Sequence, residues 1–361
     1  MVNIVNCSVE IFLERTKKQE VIAFGAGRVF ESLYETAGLK RVQYIIDSNE
    51  EKVGTYLNFS EASIPIVGKE RLKNLERSRN AVIITATLAA ASILKELDSY
   101  ENIDGMDCYI LPLMVNKVEK QEVLYASKRQ KIPKIIHYCW FGKTEIPDHL
   151  KRYMESWDKY CPDYEIIRWD ESNYDISKNQ YMREAYESKK WGFVPDYARL
   201  DIVHQYGGIY LDTDVEMVQS FDKLLCSSSF FGYADLQDVN LGHGFGSEKG
   251  NPLLDDMKKI YEEKTFIKSD GTLDLRTCIE YQRPVLKKWG FHLNGKQESI
   301  RDNVIYPREV FNPLGRLGIN ELFTDNTYSI HHAEISWESE KNRRLYQESV
   351  CDIKKRIERS L

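Results

Sequence analysis

A chain of 361 residues is longer than one ordinary hydrophobic core organises, so two domains are expected. Its hydrophobic content of 42%, charged content of 29% and formal net charge of −6 describe a soluble globular chain and argue against a general nucleic-acid binder. Seven scattered cysteines without a Cys-x-x-Cys pair speak against a disulfide framework and a zinc site, and for a reducing, cytoplasmic setting.

The N-terminus has no basic region followed by an apolar run, so no secretory leader is expected. The most apolar stretch, residues 81–94, is too short to span a bilayer and carries Thr85, Thr87 and Ser92.

Residues 1 to about 115 read as a small Rossmann-like parallel α/β domain. Strands are predicted at 20–24, 42–46, 81–85 and 108–111, with helical stretches between them. A Gly25-Ala26-Gly27 turn precedes a helix that is expected to reach about residue 37, and Asp47 follows at the spacing of a ribose-binding acid. Phe30 stands where the third fingerprint glycine would be, and its bulk opposes close helix–strand packing. A structural or regulatory domain is therefore favoured over a bound NAD(P) and an oxidoreductase. Residues 116–131 read as a charged linker, and the basic run Lys128, Arg129, Lys131 as a solvated face.

The second domain is expected to span 132–339. Residues 135–140 form a strand ending at Trp140, and Gly142 lets the chain turn. A helix at 149–160 leads to a strand at 164–169 that ends in Asp170. At the C-terminal end of an α/β strand that acid is placed to meet a ligand, or it is a turn residue. Residues 181–190 are helical.

The next stretch organises the chain. Pro195 suits a first helical position and Asp196 puts an acid in the first turn. Ala198, Leu200, Ile202, Val203 and Tyr206 supply an apolar side, and Gly207-Gly208 ends the helix. A short strand, 209–211, runs into Asp212-Thr213-Asp214. Carboxylates at alternate positions of an extended chain point to one side and repel unless a divalent cation joins them; hard oxygen ligands suit Mg²⁺ or Mn²⁺. Asp196 and Arg199 share one helix face and present an acid and a cation to a polyhydroxyl ligand. Taken singly, the two pairs also read as turn residues and a surface ion pair.

Strands are predicted around 230–233 and 304–306, and helices at 253–261 and 277–289. The segment 240–246, Asn-Leu-Gly-His-Gly-Phe-Gly, lacks the Lys-Ser/Thr ending of a P-loop. Its glycines let backbone approach a ligand closely. Residues 328–337 end in His331-His332-Ala333-Glu334-Ile335-Ser336-Trp337. Adjacent histidines on a strand face opposite ways, so one ion is not expected to take both. Residues 340–361 form a C-terminal amphipathic helix with an apolar stripe of Leu345, Val350, Ile353 and Ile357. Core packing explains the stripe, and its basic residues also suit peripheral contact with the inner face of an anionic membrane.

The order helix, Gly-Gly, apolar strand, Asp-x-Asp resembles the donor-site core of glycosyltransferase family 32, the sugar-binding region with a DXD motif, and is similar to the glucosyltransferase core of large clostridial toxins. The resemblance covers about 132–337 and implies a GT-A-type domain. It makes Asp212 and Asp214 the DXD carboxylates, Asp196 and Arg199 the sugar and ribose contacts, and Trp140 the partner of the base. It adds Asp170, Gly242, His243 and Trp337 to the nucleotide-sugar site. His331, or else His332, would complete a Mn²⁺ or Mg²⁺ site. Ala333 departs from the family's aromatic after the histidines.

The implied activity is metal-dependent, retaining transfer of a hexose or N-acetylhexosamine. The implied donor is a nucleoside-diphosphate sugar, UDP-linked first. The implied acceptor is a glycan or lipid-linked oligosaccharide in surface polysaccharide synthesis. A metal-dependent sugar-nucleotide hydrolase and a non-catalytic nucleotide-sugar sensor are the alternatives.

Overall fold

The computed structural model describes residues 1–34, 39–126, 129–334 and 339–360. The chain divides into two compact units. Unit 1 is Met1–Glu119, Arg316–Asn320 and Glu338–Leu361; unit 2 is Lys120–Gly315 and Glu321–Trp337. Both are α/β.

Unit 1 holds seven strands: β1 (Asn3–Ile4), β2 (Glu20–Phe24), β3 (Val42–Ile46), β4 (Tyr56–Asn58), β5 (Ser63–Val67), β6 (Asn80–Ile84) and β7 (Asp107–Ile110). Their order is β1-β7-β6-β2-β3-β5-β4, parallel throughout except that β4 runs antiparallel to β5. Strands buried on both faces of a parallel sheet read as unbroken apolar runs, which is why β2 and β6 were legible. Ile22, Phe24, Val82, Ile84, Cys108 and Ile110 form its core.

The glycine turn after β2 is closed by protein groups. Asp47 accepts from the backbone N–H of Ala26 at 2.7 Å and of Asn49 at 2.8 Å, and Lys52 Nζ donates to the Ala26 carbonyl at 2.7 Å. The acid placed for a ribose thus holds its own turn. Phe30 is buried and packs 5.8 Å from Tyr34, which stacks on Phe59. The end of the helix expected to reach residue 37 lies outside the described residues.

The domain boundaries differ from those expected. The terminal helix Glu340–Ser360 belongs to unit 1: Ile353 is buried in that core, and Arg356 pairs with Asp98 at 2.7 Å. Its apolar stripe covers the helix Ala90–Asp98. The expected linker from residue 120 onward is part of unit 2. There Gln121 N–H donates to Glu309 and Leu124 N–H to Gln297. Of the basic run, Lys131 is exposed, as expected, and pairs with Asp302 at 2.6 Å, while Lys128 lies outside the described residues.

Unit 2 carries β8 (Ile135–Cys139), β9 (Glu165–Trp169), β10 (Gly208–Tyr210), β11 (Val215–Met217), β12 (Ser229–Gly232), β13 (Phe245–Ser247), β14 (Glu298–Ile300), β15 (Asn303–Tyr306) and β16 (Ser329–His331). Seven form a mixed sheet ordered β14-β15-β12-β13-β10-β8-β9, with β10, β8 and β9 parallel and β13 antiparallel to β10 and β12. The remaining two, β11 and β16, pair antiparallel as a separate ribbon with Val215 opposite His331.

The helix Pro195–Tyr206 begins on its proline and stops at Gly207, φ 72°. Residues 196–203 are buried without interruption, so the expected single apolar side becomes a helix enclosed all round over these residues, while Tyr206, expected on that side, is exposed in the last turn. Asp201 is tolerated inside because Tyr174 donates to it at 2.8 Å and Lys178 and Lys258 pair with it. Gly208, φ 105°, has no room for a side chain: a Cβ there would lie 2.8 Å from the Ile135 carbonyl oxygen. The close approach seats β10 beside β8.

Candidate active site

Three anchors aim the Asp-x-Asp segment. Val215 N–H donates to the Asp212 carbonyl, closing the turn after β10. Buried Trp157, on the helix Asp148–Tyr160, donates its indole N–H to the Val215 carbonyl at 2.8 Å. Ser156 on the same helix accepts from Met217 N–H at 2.7 Å. The helix thus holds one edge of β11, and β16 pairs with the other, which places Asp214 just before the strand.

Asp212, Asp214 and His331 come together across 119 positions of sequence order because β11 pairs with β16. Their donor atoms all lie within 4.8 Å of one another. His331 Nε2 is 3.4 Å from Asp214 Oδ1, and Asp214 Oδ2 accepts from the Glu334 N–H at 3.0 Å. Metal–oxygen bonds of about 2.0–2.1 Å bring donor atoms to about 3–4 Å from one another, so a small movement closes this set on a cation. Two carboxylates and an imidazole suit Mn²⁺.

Beside the cluster, Arg199 and Asp196 form a buried ion pair, the two residues 4% and 3% exposed. Arg199 also stands 3.8 Å from Asp212 and 5.3 Å from the centre of the Tyr210 ring. Tyr210 donates to Asp212 Oδ1 at 3.0 Å. One guanidinium therefore joins Asp196 to Asp212.

The electrostatics follow from burial. Desolvation pushes the Asp196 carboxyl up to about 7, with Arg199 opposing it. Desolvation also raises Asp212; Arg199 works against the rise and Asp214 with it. Asp212 nevertheless keeps 31% of its side chain exposed. Burial disfavours the charge on Arg199, but Asp212 and Asp196 more than restore it, and its affinity for the proton is raised. Burial is the leading cause for both acids, and of the two only Asp212 belongs to the cluster that a divalent ion would join.

The other expected residues are placed as follows. His332 points away from the cluster: its Nε2 lies 2.9 Å from Glu216, and its ring stacks on Tyr153 at 3.9 Å. Alternation along β16 puts it on the opposite side from His331. Gly242 and His243 lie against the carboxylate and imidazole of the cluster. Asp212 N–H faces the Gly242 carbonyl at 3.4 Å, and the His243 ring is 4.4 Å from that of His331. Trp140 follows β8, half-buried, with its indole N–H on the Thr144 carbonyl at 2.8 Å. Asp170 accepts from Ser172 N–H and Oγ and pairs with Arg168 at 2.9 Å, which is turn chemistry. Trp337 lies outside the described residues.

His137 is a core residue. Its Nε2–H donates to the Gly207 carbonyl at 2.8 Å, its Nδ1 accepts from Trp169, and burial lowers it to about 4. Sequence reasoning missed Tyr210. It sits two residues before Asp212, on the same side of the extended chain, and that alternation was the available signal.

Residues 147–231 match the family model described as the glycosyltransferase sugar-binding region containing DXD motif. Over 146 residues the chain is 33% identical to inositol phosphoceramide mannosyltransferase 3 of Schizosaccharomyces pombe, covering 39% of this chain and 40% of that one. Over 108 residues it is 37% identical to mannosyl phosphorylinositol ceramide synthase SUR1 of Saccharomyces cerevisiae, covering 28% of each. The chain thus spans less than half the length of these relatives. Among solved structures, PaToxG glycosyltransferase aligns at 18% identity with a TM-score of 0.35, over 44% of this chain and 70% of that one. The matched residues hold Asp196, Arg199, Asp212 and Asp214, so the segment that resembles a DXD-containing sugar-binding region is the one that builds this cluster.

Proposed function

We propose that unit 2 is a metal-dependent glycosyltransferase that moves a hexose or N-acetylhexosamine from a nucleoside-diphosphate sugar to a hydroxyl of a glycan acceptor. The observation that carries this reading is the meeting of two groups at one place: a carboxylate–carboxylate–imidazole set, and a buried acid–guanidinium pair tied to it through Asp212. Asp212, Asp214 and His331 would hold the cation, Mn²⁺ or Mg²⁺. When bound, it neutralises the charge that develops on the leaving diphosphate, an effect worth several kcal/mol.

The protein's own residues do the positioning. Asp196 and Arg199, rigid on an enclosed helix, take hydroxyls of the sugar and hold the anomeric carbon in place, saving orientation entropy. Retention of configuration is the outcome that the family resemblance favours, with the leaving phosphate taking the acceptor proton on the same face. No protein general base is assigned.

UDP is the nucleotide we favour, with a surface polysaccharide or lipid-linked oligosaccharide as acceptor, at the cytoplasmic face of a membrane. A second reading comes from the names of the relatives: a mannosyl group transferred to an inositol-phosphoryl lipid. One screen separates them. Purified full-length chain is incubated with UDP- and GDP-sugars and Mn²⁺, with and without glycan or inositol-phosphoryl acceptors, and nucleoside diphosphate and products are followed. Transfer that chelator or Asp214→Ala abolishes supports the proposal. Release of sugar to water alone, unaffected by acceptor, would make the protein a hydrolase. Binding without turnover would make it a sensor, and full activity under chelator would remove the metal.

A further inference from the structure

Given a cation held by Asp212, Asp214 and His331, one nearby segment touches two of its three ligands. Residues 240–244 turn through a short 3-10 helix, Leu241–His243, that is buried throughout. Its Gly242 lies against Asp212: a Cβ there would sit 2.4 Å from Asp212 Oδ2. Its His243, 3% exposed, places its ring 4.4 Å from that of His331, with the planes tilted by 43°. The turn is itself fixed. Asn240 caps it by accepting from Gly242 N–H at 2.9 Å, and the Cys278 thiol meets the same Asn240 oxygen at 3.8 Å.

We propose that His243 is a positioning residue for the metal ligand His331. β16 is three residues long and, among the described residues, pairs with β11 alone, so its backbone sets where His331 starts but not how its ring turns. Metal-bound imidazoles need a fixed ring plane, which a neighbour outside the ligand set normally provides. The His243 ring supplies it as a wall, leaving Nε2 of His331 directed at Asp214. The segment sets the Asp212 carboxylate and the His331 imidazole from one side, and its role is to shape the cation site.

This inference rests on the cation reading above, and Mn²⁺ binding by the full chain tests both. Free Mn²⁺ is followed by its electron paramagnetic resonance signal during titration of wild type, His243→Ala and His243→Phe, with thermal melting of each. His243→Ala is expected to weaken Mn²⁺ binding about 10- to 100-fold, the usual effect of losing a residue that orients a ligand. His243→Phe keeps the ring wall and should bind close to wild type. Two results would overturn the proposal while leaving the cation site standing: wild-type affinity in His243→Ala, or equal losses in both variants, which would make a His243 nitrogen the active feature. Should the alanine variant melt early, the phenylalanine comparison still decides. A wild type that takes up no Mn²⁺ would remove the cation site, and this role with it.

Discussion

The Tyr210 phenol donates a hydrogen bond to Asp212 Oδ1 at 3.0 Å, and its ring lies 5.3 Å from the Arg199 guanidinium. A single aromatic residue thus sets both partners of the contact that joins the two halves of the site. Tyr210→Phe deletes the hydroxyl and keeps the ring, which also packs on Phe245. Hydrogen bonds to charged groups contribute about 1.5–3 kcal/mol, so melting should drop by several degrees and kcat, measured well below that transition, should fall about 10-fold or more. The loss should shrink as Mn²⁺ is raised, because a cation restrains the same carboxylate. A kcat independent of Tyr210 at all Mn²⁺ concentrations would show that the hydroxyl does not orient Asp212.

Removing Arg199 leaves two acids facing each other in a buried place. Asp196 loses its only ion-pair partner among the described contacts, and Asp212 loses the charge that opposes its upward shift. Breaking one side of a buried pair costs about 3–5 kcal/mol. Arg199→Ala should therefore show a clearly lower denaturation midpoint at pH 8 and recover part of it near pH 5, where Asp196 takes a proton. The sign follows from the raised carboxyl: the folded state binds the extra proton, so stability falls as pH rises through its range. Equal destabilisation at both pH values would mean that the pair is not the source.

Gly242→Ala tests the other wall of the cluster. The glycine has no backbone strain to relieve, so the substitution acts through its methyl alone, 2.4 Å from Asp212 Oδ2. The carboxylate must turn away. Mn²⁺ affinity is expected to drop about 10-fold, as for other changes that misdirect a ligand, with the fold retained by circular dichroism. Unchanged titration would show that Asp212 adapts without cost.

Local order in the chain made part of this site legible. Pro195, the glycine stop and the Asp-x-Asp spacing all act within a few residues: Pro195 opens the helix and Gly207 caps it as read, while Gly208 already belongs to β10, one residue ahead of the strand expected at 209–211. The pairing of Asp196 with Arg199 also follows from helical spacing. What encloses that helix does not, since Asp201 is paired by lysines from two other segments. The place of His331 depends on β16 meeting β11 from far along the chain, which spacing alone cannot specify. The terminal helix shows the same limit. Its stripe announced a buried face, while the partner, the helix Ala90–Asp98, lies about 250 residues earlier.

His137 gives a pH signature of the fold that is independent of the chemistry. It is neutral and buried between the Gly207 carbonyl and the Trp169 indole, and desolvation lowers it from 6.5 to about 4. The unfolded chain therefore binds a proton that the folded chain refuses between those values. The stability this represents is complete above pH 6.5 and is lost as pH falls toward 4. A shift of this size corresponds to about 3 kcal/mol. His137→Gln supplies one donor and one acceptor without a titrating group. Urea unfolding at pH 7.5 and pH 4.5 should show a drop about 2–3 kcal/mol larger in wild type than in the variant, a difference that isolates this residue from the carboxylates titrating in both. Parallel loss in the two proteins would mean that His137 is charged inside the fold, and the bond drawn from Trp169 to its Nδ1 would then be wrong.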